Sequence, residues 1–306
     1  MNLLVTGGAG YIGTELVELL VRNPAVDRIV IFDNLSRNNF NLFLGRRIEG
    51  HQKIQFIKGE LLDSRGLKHA LKGIDVVYHL AARVTTPFAN SDAHLYEQVN
   101  HWGTAELVYA VEESKVKRFI YISSAGVYGS SEQPLDETVA PNPKTFYAIS
   151  KLRGEEHVRR LAEHLDTYIF RCANVYGFSR SMRFDAVINK FVFEANFIKR
   201  VTIHGDGSQC RSFIHIDQLA RALANVLDTR LPGGTYNLVE RTCSIMDIVD
   251  VLKQLIPELE FILINQHMRF NHLKVRPNEN AITTLGITTG HSLRDEVQGF
   301  LQRFSF

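Results

Sequence analysis

The chain has 306 residues, 45% hydrophobic and 22% charged, and its 35 basic and 33 acidic side chains leave a formal charge of +2. That balance gives no overall pull towards nucleic acid or a membrane surface, so an anion must be bound by a local site. Cys172, Cys210 and Cys243 are too scattered for a disulfide framework or a zinc site, and the 12 histidines lack ligand spacing, so no metal is expected.

The first half alternates short apolar runs with helical periodicity. Residues 3–6 read as a buried strand, and 11–22 as a helix with Ile12, Leu16, Leu19 and Leu20 on one face. "DRIVIFD", "KIQFIKG" and "DVVYHLA" give three more strands. A long helix follows over 95–113, then a strand at "VKRFIYISS", a helix over 146–164 and a sixth strand at "TYIFRCANVYG". Such alternation predicts an α/β fold with a doubly wound parallel sheet covered on both faces. After Gly177 the rhythm loosens. Helices are expected over 183–199, 215–227 and 244–256, with strands at "VTIHGDG" and "GGTYNLV". This half reads as a smaller lobe with segments returning to the sheet. No apolar run is long enough to cross a bilayer, and the chain enters its first strand without room for a leader. The expected location is the cytoplasm.

Gly7, Gly8, Gly10 and Gly13 crowd into seven positions where the first strand turns into a helix. Glycine weakens both elements, so the cluster needs a reason. One is a tight turn; the other is a cradle that brings backbone close to a pyrophosphate at a helix N-terminus. Asp33, ending the second strand, stands where the dinucleotide fingerprint has the carboxylate that binds an adenosine ribose. Its charge favours NAD over NADP, with Arg37 as the contrary signal. A second constellation is Ser124, Tyr147 and Lys151, from "YISSAGVYG" and "FYAISK". Tyr and Lys four apart share a helix face. A nearby ammonium and a cationic nicotinamide would favour the phenolate, which could then take a proton from a sugar or alcohol hydroxyl.

These motifs resemble the extended short-chain dehydrogenase/reductase superfamily, in its NAD-dependent sugar-nucleotide epimerase/dehydratase branch. The resemblance runs from about residue 2 to 177 and continues through "GDGSQCRSFIHIDQLARAL". It implies a Rossmann-like NAD-binding domain over 1–177 carrying the catalytic residues, and a mainly substrate-binding lobe over 178–306. The turn from Gly7 through Gly10, Tyr11, Ile12 and Gly13 would hold the pyrophosphate. Asp33 and Asn34 would meet the ribose, and Glu60 and Leu61 the adenine, with Glu60 standing where the family usually has Asp. Ala81, Ala82 and Arg83 would line the cofactor, with Asn100 and Ser123 close by. Ser124, Tyr147 and Lys151 match the catalytic triad. Thr85, Asn174, Arg183 and Arg211 would bind a nucleotide-diphosphate sugar, together with Ser124.

Family 4,6-dehydratases carry an Asp-Glu pair just after the Ser/Thr position, where this chain has Ala125 and Gly126. That leaves a 4-epimerase, which the resemblance favours, or a C4 dehydrogenase/ketoreductase. A steroid- or flavonoid-type alcohol dehydrogenase would not need Arg211. The resemblance also implies a homodimer, formed by the helix over 95–113 and the Tyr147 helix, with Leu95, Val99, Leu107, Val111 and Leu161 as its apolar positions. His79, Trp102 and the aromatics of "FVFEANF" read as core.

Overall fold

The computed structural model describes residues 1–44, 47–84, 92–265 and 272–306. β1 (Asn2–Thr6) holds Leu3, Leu4 and Val5 fully buried, because it lies mid-sheet with both faces covered. It turns into α1 (Tyr11–Leu20), followed by β2 (Arg28–Asp33) and β3 (Ile54–Lys58). α2 (Ser64–Ala70) starts at Asp63, whose carboxylate accepts a bond from the Gly66 N–H, and leads to β4 (Val76–His79).

The helix expected over 95–113 is broken into three parts. α3 (Ala93–Tyr96) opens into a wide π turn over Glu97–Trp102 before α4 (Gly103–Glu112). A π turn carries an extra residue and rotates the rest of the helix about its axis. Trp102, expected on the apolar side, is therefore 53% exposed and stacks on His101 at 4.5 Å. His79 is buried between Thr6 (2.7 Å) and Thr104 (2.9 Å), a structural position.

Next come β5 (Arg118–Ser124), β6 (Ser131–Leu135) and α5 (Phe146–Leu161). The sixth strand read from sequence is in fact two. β7 (Asp166–Cys172) stays in the main sheet, while β8 (Asn174–Tyr176) leaves it to pair with a strand of a second sheet. α6 (Val187–Phe197), β9 (Arg200–His204), β10 (Cys210–His215), α7 (Ile216–Asn225) and β11 (Gly234–Leu238) come after it. The chain ends with β12 (Arg241–Ser244), α8 (Ile245–Leu255), β13 (Glu260–Ile264), β14 (Leu273–Val275), α9 (Glu279–Thr284) and α10 (Leu293–Leu301).

Among the described residues, seven strands form a parallel sheet in the order β11-β7-β5-β4-β1-β2-β3. The chain order reverses beside β1, opening a crevice at the carboxyl ends of β1 and β4. One face is covered by α1 and α7, through Leu16, Leu20, Leu219 and Leu223. The other is covered by α2, α4 and α5, through Leu67, Leu107, Val111 and Leu161. Three of the apolar positions assigned to a dimer face, Leu107, Val111 and Leu161, thus pack inside the chain's own core. β10 pairs with β8, β12 and β14, and β14 with β6, in a second sheet. Behind it α6, α8 and α10 share a third core with Phe191 and Val192. The "FVFEANF" stripe is only half core, since Phe193 and Phe197 are partly exposed, their rings tilted against each other at 5.0 Å.

Candidate active site

The glycine turn occupies the crevice. Gly7 has φ +71°, and a Cβ there would lie 2.6 Å from the Ala81 nitrogen, so only glycine lets this turn pack on the end of β4. A Cβ on Gly13 would lie 2.5 Å from the Gly7 oxygen, which forces α1 close against the turn. Gly10 differs: a Cβ there meets only the Gly7 oxygen, at 3.1 Å, because the position faces a cavity. No side chain caps the α1 N-terminus and no acidic residue sits in its first turn, so its N–H groups point at whatever anion enters.

That cavity has a volume of about 650 Å³. Gly7, Gly10, Tyr11, Ile12 and Gly13 form its floor. Asp33, Asn34, Glu60 and Leu61 close one end, and Ala81, Ala82 and Arg83 form a wall. Asp33 accepts bonds from the N–H groups of Ala9 (3.1 Å) and Leu35 (2.8 Å), while burial pushes its carboxyl upward against them. Asn34 donates to Glu60 at 3.0 Å, so the longer Glu arm is held at the cavity edge. Arg37, the contrary signal for NADP, lies 3.5 Å from Asp185. A bare cradle, an uncapped helix and a fixed carboxylate suit a dinucleotide. Leu95 and Val99, also assigned to a dimer face, line this cavity instead.

Two residues placed near the cofactor stand behind the wall. The Asn100 side chain accepts from the Arg83 N–H (2.7 Å) and donates to the Arg83 carbonyl (2.9 Å) and Ser150 (3.0 Å). The π turn presents Asn100 to this job, and the loop after β4 is fixed by it. The Ser123 hydroxyl donates to Glu155 at 2.5 Å, and neither residue lines the cavity.

The catalytic candidates converge. Ser124 ends β5, and its Oγ accepts from the Gly126 N–H at 3.1 Å. Thr145 caps α5 by accepting from Ala148, which places Tyr147 in the first turn and Lys151 one turn on. Burial raises the Tyr147 phenol above its usual range, against the pull of the Arg183 guanidinium and a hydrogen bond with Ser124. Lys151 is buried with its Nζ 4.0 Å above the Tyr121 ring, and burial lowers it to about 7. Arg183 thus adds a positive charge that favours the phenolate, a role the sequence assigned to Lys151 alone.

Arg183 lines the cavity and its Nε donates to Asp185 at 3.1 Å. Asn174, on β8, donates to the Ser212 carbonyl at 3.0 Å, and Arg211 on β10 donates to the Cys210 carbonyl at 3.1 Å. Burial lowers Arg211 from its ordinary value, the mark of a guanidinium held out of water. Thr85 lies outside the described residues.

Sequence reasoning missed how the turn is tied to the second half. The Tyr11 hydroxyl donates to the Gly177 carbonyl (2.7 Å) and accepts from Asn189 (3.1 Å), while Thr14 donates to Ser181 (2.8 Å). Ser181 and Met182 thereby join the cavity lining. A tyrosine on the buried face of α1 was the available signal, since a buried phenol needs a partner.

Known proteins resemble this chain along the same lines. The family model described as "NAD dependent epimerase/dehydratase family" matches residues 3–238. A human dTDP-D-glucose 4,6-dehydratase is 33% identical over 264 residues, covering 83% of this chain and 73% of that protein. An uncharacterized UDP-glucose epimerase of Bacillus subtilis, YtcB, is 31% identical, covering 83% of this chain and 82% of that one. Among solved structures, UDP-glucuronic acid 4-epimerase from Bacillus cereus, in complex with UDP-glucuronic acid and NAD, superposes with a TM-score of 0.87. It is 28% identical, covering 99% of this chain and 98% of that one.

Proposed function

The chain belongs to the NAD-dependent epimerase/dehydratase family and its cofactor is NAD, and from that premise we propose that it is a nucleotide-sugar 4-epimerase. The observation that carries this reading is the end of β5. Ala125 and Gly126 follow Ser124, beside the Tyr147 helix. Neither side chain can donate or accept a proton, so nothing at those positions would drive loss of water from a keto sugar. Tyr147, Ser124 and Lys151 are enough for oxidation and return. The 4-epimerase from Bacillus cereus, matching over nearly the whole chain, supports the same choice.

In this reading the Tyr147 phenolate takes the proton of the sugar 4-hydroxyl and later returns it. Ser124 holds the same oxygen by a hydrogen bond, and Lys151 and Arg183 supply positive charge around the phenolate. Bound NAD supplies the hydride acceptor. Arg211, with Asn174, holds the substrate diphosphate, and Thr85 and Arg183 contribute to binding the substrate. The planar fork of an arginine suits two phosphate oxygens. We also place a homodimer contact on the outer face of the π turn, α4 and α5. There Trp102 and Tyr109 are exposed beside His101 and His157.

The test is incubation with NAD and a panel of UDP-, GDP-, CDP- and dTDP-sugars, with the sugar then read by NMR. A 4-epimer without accumulation of NADH supports the proposal. Accumulating NADH would make the protein a C4 dehydrogenase, and a 4-keto-6-deoxy product would make it a dehydratase. Tyr147→Phe should lower turnover at least about a hundredfold while leaving NAD bound.

A further inference from the structure

Lys151 and Glu155 are four residues apart on α5, so they lie on one helix face a turn from each other. Both are buried. A buried carboxylate beside a buried ammonium ordinarily forms an ion pair, because each otherwise keeps a large desolvation cost. Here they do not. Among the described residues the Lys151 ammonium makes no ion pair; it sits over the Tyr121 ring.

The carboxylate is held elsewhere. Arg171, buried on β7, donates from Nε to Glu155 Oε1 at 3.0 Å and from Nη2 to Oε2 at 2.7 Å. This two-bond grip fixes the plane of the carboxylate as well as its position. Ser123, the cross-strand neighbour of Arg171, donates to the same Oε1. Arg159 adds one bond to Oε2 at 2.6 Å from the half-exposed side of the helix. Arg171 is itself held with its guanidinium 4.8 Å from the Tyr128 ring, whose hydroxyl donates to Asn237.

We propose that Arg171 is a positioning residue for the reaction: by gripping both oxygens of Glu155 it prevents that carboxylate from capturing Lys151, and so leaves the ammonium for Tyr147 and the cofactor. The inference rests on the assignment of Tyr147 and Lys151 as the acid/base pair. With Arg171 removed, Arg159 still holds Oε2, but Oε1 loses its cation and the nearest buried one is Lys151. The groups facing Lys151 are Tyr147 and Glu155 from α5, Tyr121 from β5, Cys172 from β7 and His79 from β4. Glu155 is the carboxylate among them. It already raises Lys151 against burial, and closer approach raises it further.

Lys151 is followed by NMR titration of isotope-labelled lysine, its signal assigned by its loss in Lys151→Arg. In Arg171→Met the titration should move up by at least about one pH unit, a tenfold change in proton affinity. Turnover near neutrality should fall about tenfold, with the acid limb of the kcat profile moving up and KM little changed. The double variant Arg171→Met/Glu155→Gln removes both charges and should return the titration and the acid limb towards wild type. If Arg171→Met does not fold, Arg171→Lys, which grips one oxygen at most, should show the same shift in smaller measure. A folded Arg171 variant with an unmoved Lys151 titration overturns the inference, as does a double variant that fails to recover. Failure of the acid/base assignment is separate: it would leave the NMR shift intact and show as full turnover in Tyr147→Phe.

Discussion

Replacing Gly10 by valine should abolish NAD binding while sparing the fold. Gly10 has φ −78° and ψ −176°, extended backbone that valine adopts without strain. Its Cβ would meet a single atom, the Gly7 oxygen at 3.1 Å, so the added bulk enters the cavity rather than the core. NAD at about 100 times its Kd stabilises the folded chain by about 2.7 kcal/mol. At about 2 °C per kcal/mol for a chain of this size, that is a rise in Tm of about 5 °C. Thermal unfolding with and without NAD reads this directly. Wild type should show the full rise, and Gly10→Val less than about 1 °C, with a Tm in the absence of NAD within about 2 °C of wild type. Gly13→Ala is the contrast. Its Cβ would lie 2.5 Å from the Gly7 oxygen and 2.6 Å from the Gly8 Cα, and neither backbone atom can swing aside. It should lose about 1–3 kcal/mol of stability even without NAD, the usual cost of overpacking. A full NAD-dependent rise in Gly10→Val would refute the placement of the pyrophosphate on this turn.

Arg211→Ala should weaken nucleotide-sugar binding by about 2 kcal/mol, the scale of a lost charge-assisted pair, with NAD affinity unchanged in calorimetry. Unchanged sugar-nucleotide affinity would remove Arg211 from the site. Tyr11→Phe removes the partner of the Gly177 carbonyl and of one Asn189 N–H in a buried place, and should cost about 1–3 kcal/mol in urea unfolding. Burial holds His79 well below its ordinary 6.5, so the unfolded chain takes up that proton first as pH falls. Its contribution to stability is complete above about 6.5 and declines below it, by up to about 1.4 kcal/mol per pH unit. Urea unfolding from neutral to mildly acid pH should be steeper in wild type than in His79→Gln. Trp102→Glu combined with Tyr109→Glu should halve the mass seen by light scattering; a wild type already monomeric at micromolar concentration would refute the dimer contact.

The main sheet and its first turn were legible in the sequence because their causes are local. Buried parallel strands need unbroken apolar runs such as those around Leu3 and Ile29, and a turn at φ +71° needs glycine. Lys151 four residues after Tyr147 on one helix is likewise a matter of spacing. What only the tertiary structure decided lies where residues distant in sequence meet. The π turn that exposes Trp102 and buries Asn100 is set by the Arg83 backbone and Ser150, 17 and 50 residues away. The break between β7 and β8 depends on β10 being there to receive Asn174. Arg183 adds positive charge around Tyr147 from a segment tied down by Tyr11 and Thr14 across more than 160 residues. Residue spacing carries the period of a helix or strand, but a buried polar side chain is oriented by its partner. The Glu155 carboxylate faces Arg171 rather than Lys151 for that reason, and no run of neighbouring residues encodes it.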